Sequence, residues 1–281
     1  MTAVATSVGA LRRFVAERFP PRATVPIAGL LYAAPASLVH PGPLDATVGA
    51  VATALGLLCL RIADDLEDLE RDRVLHPGRG LVSGRIDPAS LRDANLALGA
   101  MLIVLESSSF WRLVLCLGGL AFYRVWYSSW RPHVHVVARP FFSNLVFPAA
   151  VFHGAGPAGW RMAIPLALQA WLTAVAHEFA HNVRSAEEES PLGPGYARAL
   201  GARGTAALSA ALFAAAALAA GVLWVRLGQP RTFLLVLLAM IAGLAFFLAR
   251  LACEPGPRQS RSLYRAGILL GLMPAAGLLL R

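Results

Sequence analysis

Four aspartates dominate the chemistry offered by this sequence: Asp64, Asp65, Asp68 and Asp72, within the run Arg61-Ile-Ala-Asp-Asp-Leu-Glu-Asp-Leu-Glu-Arg-Asp72. On a helix, Asp65, Asp68 and Asp72 fall within about 60° of one another, and Arg61 and Asp64 share the same half. Carboxylates crowded on one face repel each other, so the arrangement favours a divalent cation or protonation of some members. Oxygen ligands without His or Cys suit Mg²⁺, which takes one or two carboxylates and completes its shell with water and substrate phosphate. Directly after the cluster come Arg73, His76-Pro77-Gly78-Arg79 and Ser83-Gly84-Arg85, a Gly/Pro-broken loop whose guanidinium donors fit phosphate oxygens. Metal ligands and anion donors therefore adjoin. The competing reading is a solvated juxtamembrane helix whose charges merely end an apolar span.

A second acidic cluster runs from Glu178 to Glu189. It starts with His177-Glu178-Phe179-Ala180-His181, the His-Glu-x-x-His pattern in which two histidines hold zinc and the glutamate acts as a base. A catalytic zinc needs a third protein ligand, and beyond Glu187-Glu188-Glu189 only Glu254 remains as a downstream carboxylate. A zinc membrane protease would also leave Asp64 to Asp72 without a purpose. His177 and His181 are read as buried or interfacial histidines bonded to neighbours, with the protease as a minor alternative.

The elements that must position these residues are apolar. Of 281 residues, 57% are hydrophobic and 15% charged, against about 25% charged in soluble domains, so a soluble globular protein is excluded. Blocks such as 206–225 and 232–249 approach the roughly 20 residues a helix needs to cross a bilayer. Breaks between blocks predict spans near 23–39, 44–62, 89–106, 110–127, 140–153, 160–183, 205–225, 232–250 and 263–280. The fold class is thus an all-α polytopic membrane protein of about nine transmembrane helices, read as one domain over residues 1–281.

All 25 basic residues are Arg. Only Arg112, Arg161, Arg226, Arg231 and Arg281 fall on the side opposite the N-terminus, so segment 1–22 and the loops 63–88 and 184–204 are expected in the cytoplasm. Of the 16 carboxylates only Asp45 and Glu106 lie outside. The formal charge of +9 reflects topology rather than nucleic-acid binding, because the Arg residues sit between apolar blocks instead of forming one basic stripe. Cys59, Cys116 and Cys253 are odd in number and lie in apolar stretches, which excludes a disulfide framework. No cleavable signal is evident, so the first span is expected to act as its own insertion signal. A transporter would bury its charges deep in the spans, whereas here they collect at span ends.

The run Asp64-Asp65-x-x-Asp68-x-x-x-Asp72, then His76-Pro77-x-Arg79 and Ser83-Gly84-Arg85-Ile86, resembles the first signature of the UbiA superfamily of intramembrane prenyltransferases. That signature reads N-D-x-x-D-x-x-x-D, then H-P-x-R-P-x-P-S-G-R-I. Asp64 stands where the family has Asn, and Gly80 and Val82 stand where it has Pro, a change expected to loosen the loop. The resemblance implies nine helices around a central cavity. It also maps the family's second acidic signature onto Glu178, Ser185, Glu188 and Glu189; Glu178 and Glu188 lie about 80° apart on a helix and can face one cavity. Tyr127-Ser128 and Arg131 match the family's Tyr-Ser pair and following basic residue. Trp126, Trp130, Phe141, Phe142 and Trp171 are candidates for lining a prenyl cavity or anchoring the interface.

On this resemblance the expected activity is Mg²⁺-dependent ionisation of an allylic isoprenyl diphosphate in the bilayer, with transfer of the prenyl group to an aromatic or other lipophilic acceptor. Asp64, Asp65, Asp68, Asp72, Glu178 and Glu188 would hold metal, with Asp68, Asp72 and Glu178 at the catalytic centre. Arg61, Arg79, Arg131 and Arg184 would take the diphosphate. The alternative is a membrane terpene cyclase of the same superfamily, in which the substrate's own double bond replaces the acceptor.

Overall fold

The computed structural model describes residues 2–183, 195–228, 231–253, 267 and 271–279. Among them there are helices and turns and no strand, as expected where hydrocarbon offers the backbone no partners. The helices are α1 (Thr2–Arg18), α2 (Pro21–Ala36), α3 (Pro43–Glu67), α4 (Leu69–Leu75), α5 (Pro88–Glu106), α6 (Phe110–Val125), α7 (Arg139–Ser143), α8 (Val146–His181), α9 (Tyr196–Arg226) and α10 (Arg231–Cys253); residues 271–279 are helical too. Among the described residues four stretches, Pro43–Glu67, Pro88–Glu106, Arg198–Arg226 and Phe233–Leu251, are long and apolar enough to cross a membrane. The other expected spans up to residue 250 also fall largely on helix, and the last, 263–280, lies mostly outside the described residues.

The chain divides into two compact units, Met1–Ala33 with Pro41–Arg131, and Ala34–His40 with Pro132–Arg281. In the first unit both α1 and α3 pack on α5. Helix α1 is too charged to span, yet Ala10 and Phe14 on one face join Leu58, Ile62, Leu81, Ile86 and Leu91 in a common core. Phe14 is fully buried, which stabilises the docked helix by about 2 kcal/mol. The N-terminal segment is therefore part of the unit that carries the first acidic cluster.

Helix α3 starts at Pro43, where the missing N–H costs nothing. It ends at Asp68, which is both its C-cap and the N-cap of α4. The Asp68 amide donates to the Asp64 carbonyl at 2.9 Å, and the Asp68 carbonyl accepts from the Asp72 amide at 2.8 Å. Helical periodicity is nearly continuous through this joint, so the four aspartates keep their spacing along one axis. Near the start of α3, Arg112 lies 3.5 Å from Asp45 and 3.4 Å from the buried Glu106. The two carboxylates and one of the arginines that the sequence assigns to the side opposite the N-terminus thus meet each other.

Helix α5 is capped by Asp87, whose carboxylate accepts from the Ser90 amide at 2.8 Å and the Ser90 hydroxyl at 2.7 Å, with Pro88 in the first turn. These hydrogen bonds hold the Asp87 carboxyl below the usual carboxylate range. A depressed folded-state pKa gives stability that is present above the unfolded value and lost as the pH falls through the folded one. Asp87→Ala is expected to lower the melting temperature in detergent at pH 7, with the gap to wild type closing as the pH drops below about 4. A gap that stayed constant well below that pH would contradict the assignment.

In the second unit, the sequence break between two expected spans becomes a kink inside α8. Gly156 takes φ 58°, ψ −175° in the middle of the helix, immediately before Pro157. Only glycine adopts this conformation without strain, and proline cannot continue the preceding turn's hydrogen bonds. The C-terminal half of α8 then packs along α9, where the buried Ser209 hydroxyl donates to the Ala176 carbonyl at 2.9 Å.

Candidate active site

The end of α3 sorts its carboxylates by exposure. The Asp65 and Asp72 side chains are 6% and 9% exposed, those of Asp64 and Asp68 32% and 27%. Asp65 accepts a two-pronged contact from Arg18, Nε to Oδ2 at 2.6 Å and an Nη to Oδ1 at 3.0 Å, and also pairs with Arg61 at 2.9 Å. Asp72 pairs with Arg79. Buried carboxylates need such partners, because an isolated charge out of water costs several kcal/mol. The inward pair is thereby committed to arginines on α1 and on the loop before α5. Asp64 and Asp68, one turn apart, are the more accessible pair.

A π-helical turn, Trp126–Trp130, follows α6. Its wider winding inserts one extra residue per turn, a local strain often found at functional sites. Here it delivers two groups to α3. The Tyr127 hydroxyl donates to Asp64 Oδ1 at 3.2 Å. Arg131 contacts both Asp68 oxygens, at 3.0 and 3.4 Å, with its guanidinium 5.4 Å from the Tyr127 ring centre. Burial works to lower the Arg131 pKa, but Asp68 and Asp64 outweigh it and hold the value above the ordinary one. Arg131 is therefore a permanent cation. Arg61 lies 3.6 Å from Asp64 as well as on Asp65.

Thus Asp64, Asp65, Asp68, Asp72, Arg61, Arg79 and Arg131 lie together in the first unit. Arg18 and Glu17 join them without having been singled out in the sequence. Arg18 meets Asp65 across 47 positions and Glu17 meets Gly80 across 63; no local motif encodes such pairs. The only hint is that α1 places charges beside an apolar face.

In the second unit Glu178 is exposed near the end of α8. Its Oε1 accepts from the Asn182 side chain at 3.1 Å and the Tyr196 hydroxyl at 3.4 Å. Phe179, one position on, is buried between Phe141 and Tyr196, with ring centres 6.3 and 4.9 Å away. The Trp171 indole N–H donates to the Phe141 carbonyl at 2.8 Å. Phe141 and Trp171 therefore build the wall that fixes the end of α8. The His177 ring meets Phe213 edge-on at 5.3 Å and the backbone of Gly267, the environment of a packed histidine. Arg184, Ser185 and Glu187 to Glu189, with the expected ligand Glu188, lie outside the described residues.

Among the described residues, no three His, Cys, Asp or Glu side chains are placed to share one metal ion. Mg²⁺ commonly takes one or two carboxylates and fills its remaining positions with water and phosphate. The accessible all-oxygen pair Asp64 and Asp68 meets that need.

Fold and geometry together define an all-α membrane protein with carboxylates and arginines interlaced at a span end. The chain belongs to the UbiA prenyltransferase family, whose profile matches residues 23–270. It is similar in structure to a protein described in work on the biosynthesis of digeranylgeranylglyceryl phosphate synthase in membranes, with a TM-score of 0.74 at 15% identity over 100% of this chain and 98% of that one. It is likewise similar to the apo structure of a UbiA homolog from Aeropyrum pernix K1, with a TM-score of 0.73 at 18% identity over 92% of this chain and 97% of that one. No curated protein sequence matches the chain. At these identities the structural likeness speaks for the fold.

Proposed function

We propose that the protein is a Mg²⁺-dependent intramembrane prenyltransferase that ionises an allylic isoprenyl diphosphate and passes the prenyl group to an aromatic or other lipophilic acceptor. The observation that carries this reading is the α3 end, where two accessible carboxylates, Asp64 and Asp68, stand beside Arg61 and Arg131, one turn from the Asp72–Arg79 pair. Asp64 and Asp68 would hold the metal, and Glu178 and Glu188 are proposed as further ligands. Bound Mg²⁺ would supply positive charge to the departing diphosphate.

The remaining work falls to the chain's own groups. Arg131 and Arg79 take phosphate oxygens through paired N–H donors, with Arg61 and Arg184 adding charge. The buried pairs of Asp65 with Arg18 and Asp72 with Arg79 keep the acidic helix and the loop in register. Aromatic faces would stabilise the allylic cation and keep water from capturing it. The acidic and Arg-rich segments face the cytoplasm, where a soluble diphosphate head arrives, while the prenyl tail stays in the bilayer.

A second reading, acceptor-free cyclisation, is favoured by one feature, the replacement of the family's second-signature aspartates by Glu178 and Ser185. One experiment separates the two. Purified protein is given Mg²⁺ and prenyl diphosphates of several lengths, with and without aromatic acceptors, and products are identified by mass spectrometry. Acceptor-dependent prenylated product is expected. A cyclic hydrocarbon or alcohol formed without acceptor would replace transfer by cyclisation, and stoichiometric zinc lost on changing His177 would overturn both.

A further inference from the structure

The loop between α4 and α5 carries Arg79 and Arg85, and most of its hydrogen bonds are local. The Arg79 amide donates to the His76 carbonyl at 3.0 Å, the Ser83 amide to the Arg79 carbonyl at 2.8 Å, and the Ile86 amide to the Gly80 carbonyl at 2.9 Å. These bonds close the loop on itself, and the Arg79–Asp72 pair ties it to the acidic helix. A second tie comes from α1. Glu17 Oε1 accepts from the Gly80 amide at 2.8 Å, and its other oxygen lies 3.7 Å from the Arg85 guanidinium. Arg85 in turn donates to the Gly78 carbonyl at 2.8 Å and to the Ser83 hydroxyl at 3.1 Å, and its own carbonyl accepts from Arg13 at 2.9 Å.

Gly80 leaves room for this contact. A Cβ there would come within 2.6 Å of Glu17 Oε2 and 2.9 Å of the buried Ile86 side chain. The absence of a side chain lets the carboxylate reach the backbone, and an N–H must be present to receive it. The sequence leads one to expect a loosened loop where glycine replaces proline; in the structure Gly80 is instead the point at which α1 grips it. One residue further along α1, Arg18 holds Asp65. Phe14, one turn earlier, is sealed in the same core as Leu81 and Ile86. The end of α1 therefore touches both halves of the site, the acidic helix and the arginine loop.

We propose that Glu17 is a positioning residue: by holding the Arg79–Gly80 peptide and the Arg85 guanidinium, it fixes the stance of Arg79 toward the diphosphate. The assignment rests on the prenyl diphosphate reading for what Arg79 binds, but the grip itself does not. Glu17→Ala loses both contacts, whereas Glu17→Gln keeps an acceptor for the Gly80 amide. Gly80→Ala drives the carboxylate away without touching Glu17 itself.

The test combines steady-state kinetics with hydrogen–deuterium exchange of the 76–86 segment in the full-length protein. Glu17→Ala is expected to raise KM for the prenyl diphosphate about tenfold with kcat nearly unchanged, and Glu17→Gln to stay within about threefold of wild type. Gly80→Ala should reproduce the Glu17→Ala KM, and the double variant should be little worse than either single one, because both break the same contact. Additive effects, or a fall in kcat at constant KM, would overturn the proposal. Without substrate, amides of 76–86 should exchange faster in Glu17→Ala than in wild type; unchanged exchange would also overturn it. Faster exchange in a protein whose wild type neither binds nor turns over prenyl diphosphates would uphold the grip and overturn the substrate reading instead.

Discussion

Asp68→Asn is expected to lower Mg²⁺-dependent diphosphate release about a thousandfold, the scale lost when one preorganised electrostatic group is removed from a reacting centre. The substitution keeps size and shape, and the Asp68 backbone bonds that join α3 to α4 do not involve the side chain. Thermal stability should therefore change little. Removing this carboxylate also releases Arg131, which contacts both of its oxygens, so affinity for the diphosphate itself should hold or rise. The expected pattern is a collapsed kcat with KM no worse than wild type, measured by release of inorganic diphosphate. Unaltered turnover would remove Asp68 from the mechanism.

Arg131→Ala is expected to act in the opposite sense, raising KM for the prenyl diphosphate about thirtyfold through loss of a charge-assisted, two-pronged contact. Because Arg131 neutralises Asp68, its removal should also tighten Mg²⁺ binding in the absence of substrate, which a metal titration reads directly. Arg131→Lys should recover only part of the loss, since an ammonium keeps the charge but not the planar fork. Equal effects of Ala and Lys on KM, with Mg²⁺ affinity unchanged, would make Arg131 a spectator. Its charge does not titrate near neutral pH, since the neighbouring carboxylates hold its pKa above the ordinary value, so the effect should be the same across the neutral range.

Much of this arrangement was legible in the sequence because it is local. Asp64 to Asp72 lie on one continuous stretch of helix, and turn periodicity alone gathers them. Arg79 and Arg85 follow in a loop whose Gly and Pro residues announce it, and Asp87-Pro88 marks the start of α5 by capping chemistry. Composition alone required helices, and the break near residue 156 was read correctly in position, although it emerged as a kink within α8 rather than a loop. Contacts between distant segments were not legible. Periodicity places Asp65 and Asp72 on the same face as Asp68, but it does not tell which carboxylates Arg18 and Arg79 bury and which remain accessible. The π-helical turn that brings Tyr127 and Arg131 onto α3 has no signature in Trp126-Tyr127-Ser128-Ser129-Trp130. The N-terminal segment, which the sequence marks only as expected in the cytoplasm, holds the loop through Glu17.

Asp64, Asp68 and Glu178 are proposed to serve Mg²⁺-dependent ionisation of a prenyl diphosphate. The most direct test is release of inorganic diphosphate from a prenyl diphosphate by purified wild-type protein and by Glu178→Gln, each titrated with Mg²⁺ and with EDTA. The account expects release by wild type that rises with Mg²⁺ and stops with EDTA, and release by Glu178→Gln reduced about a hundredfold or more. Release that persists in EDTA, or a Glu178→Gln protein as active as wild type, would contradict it.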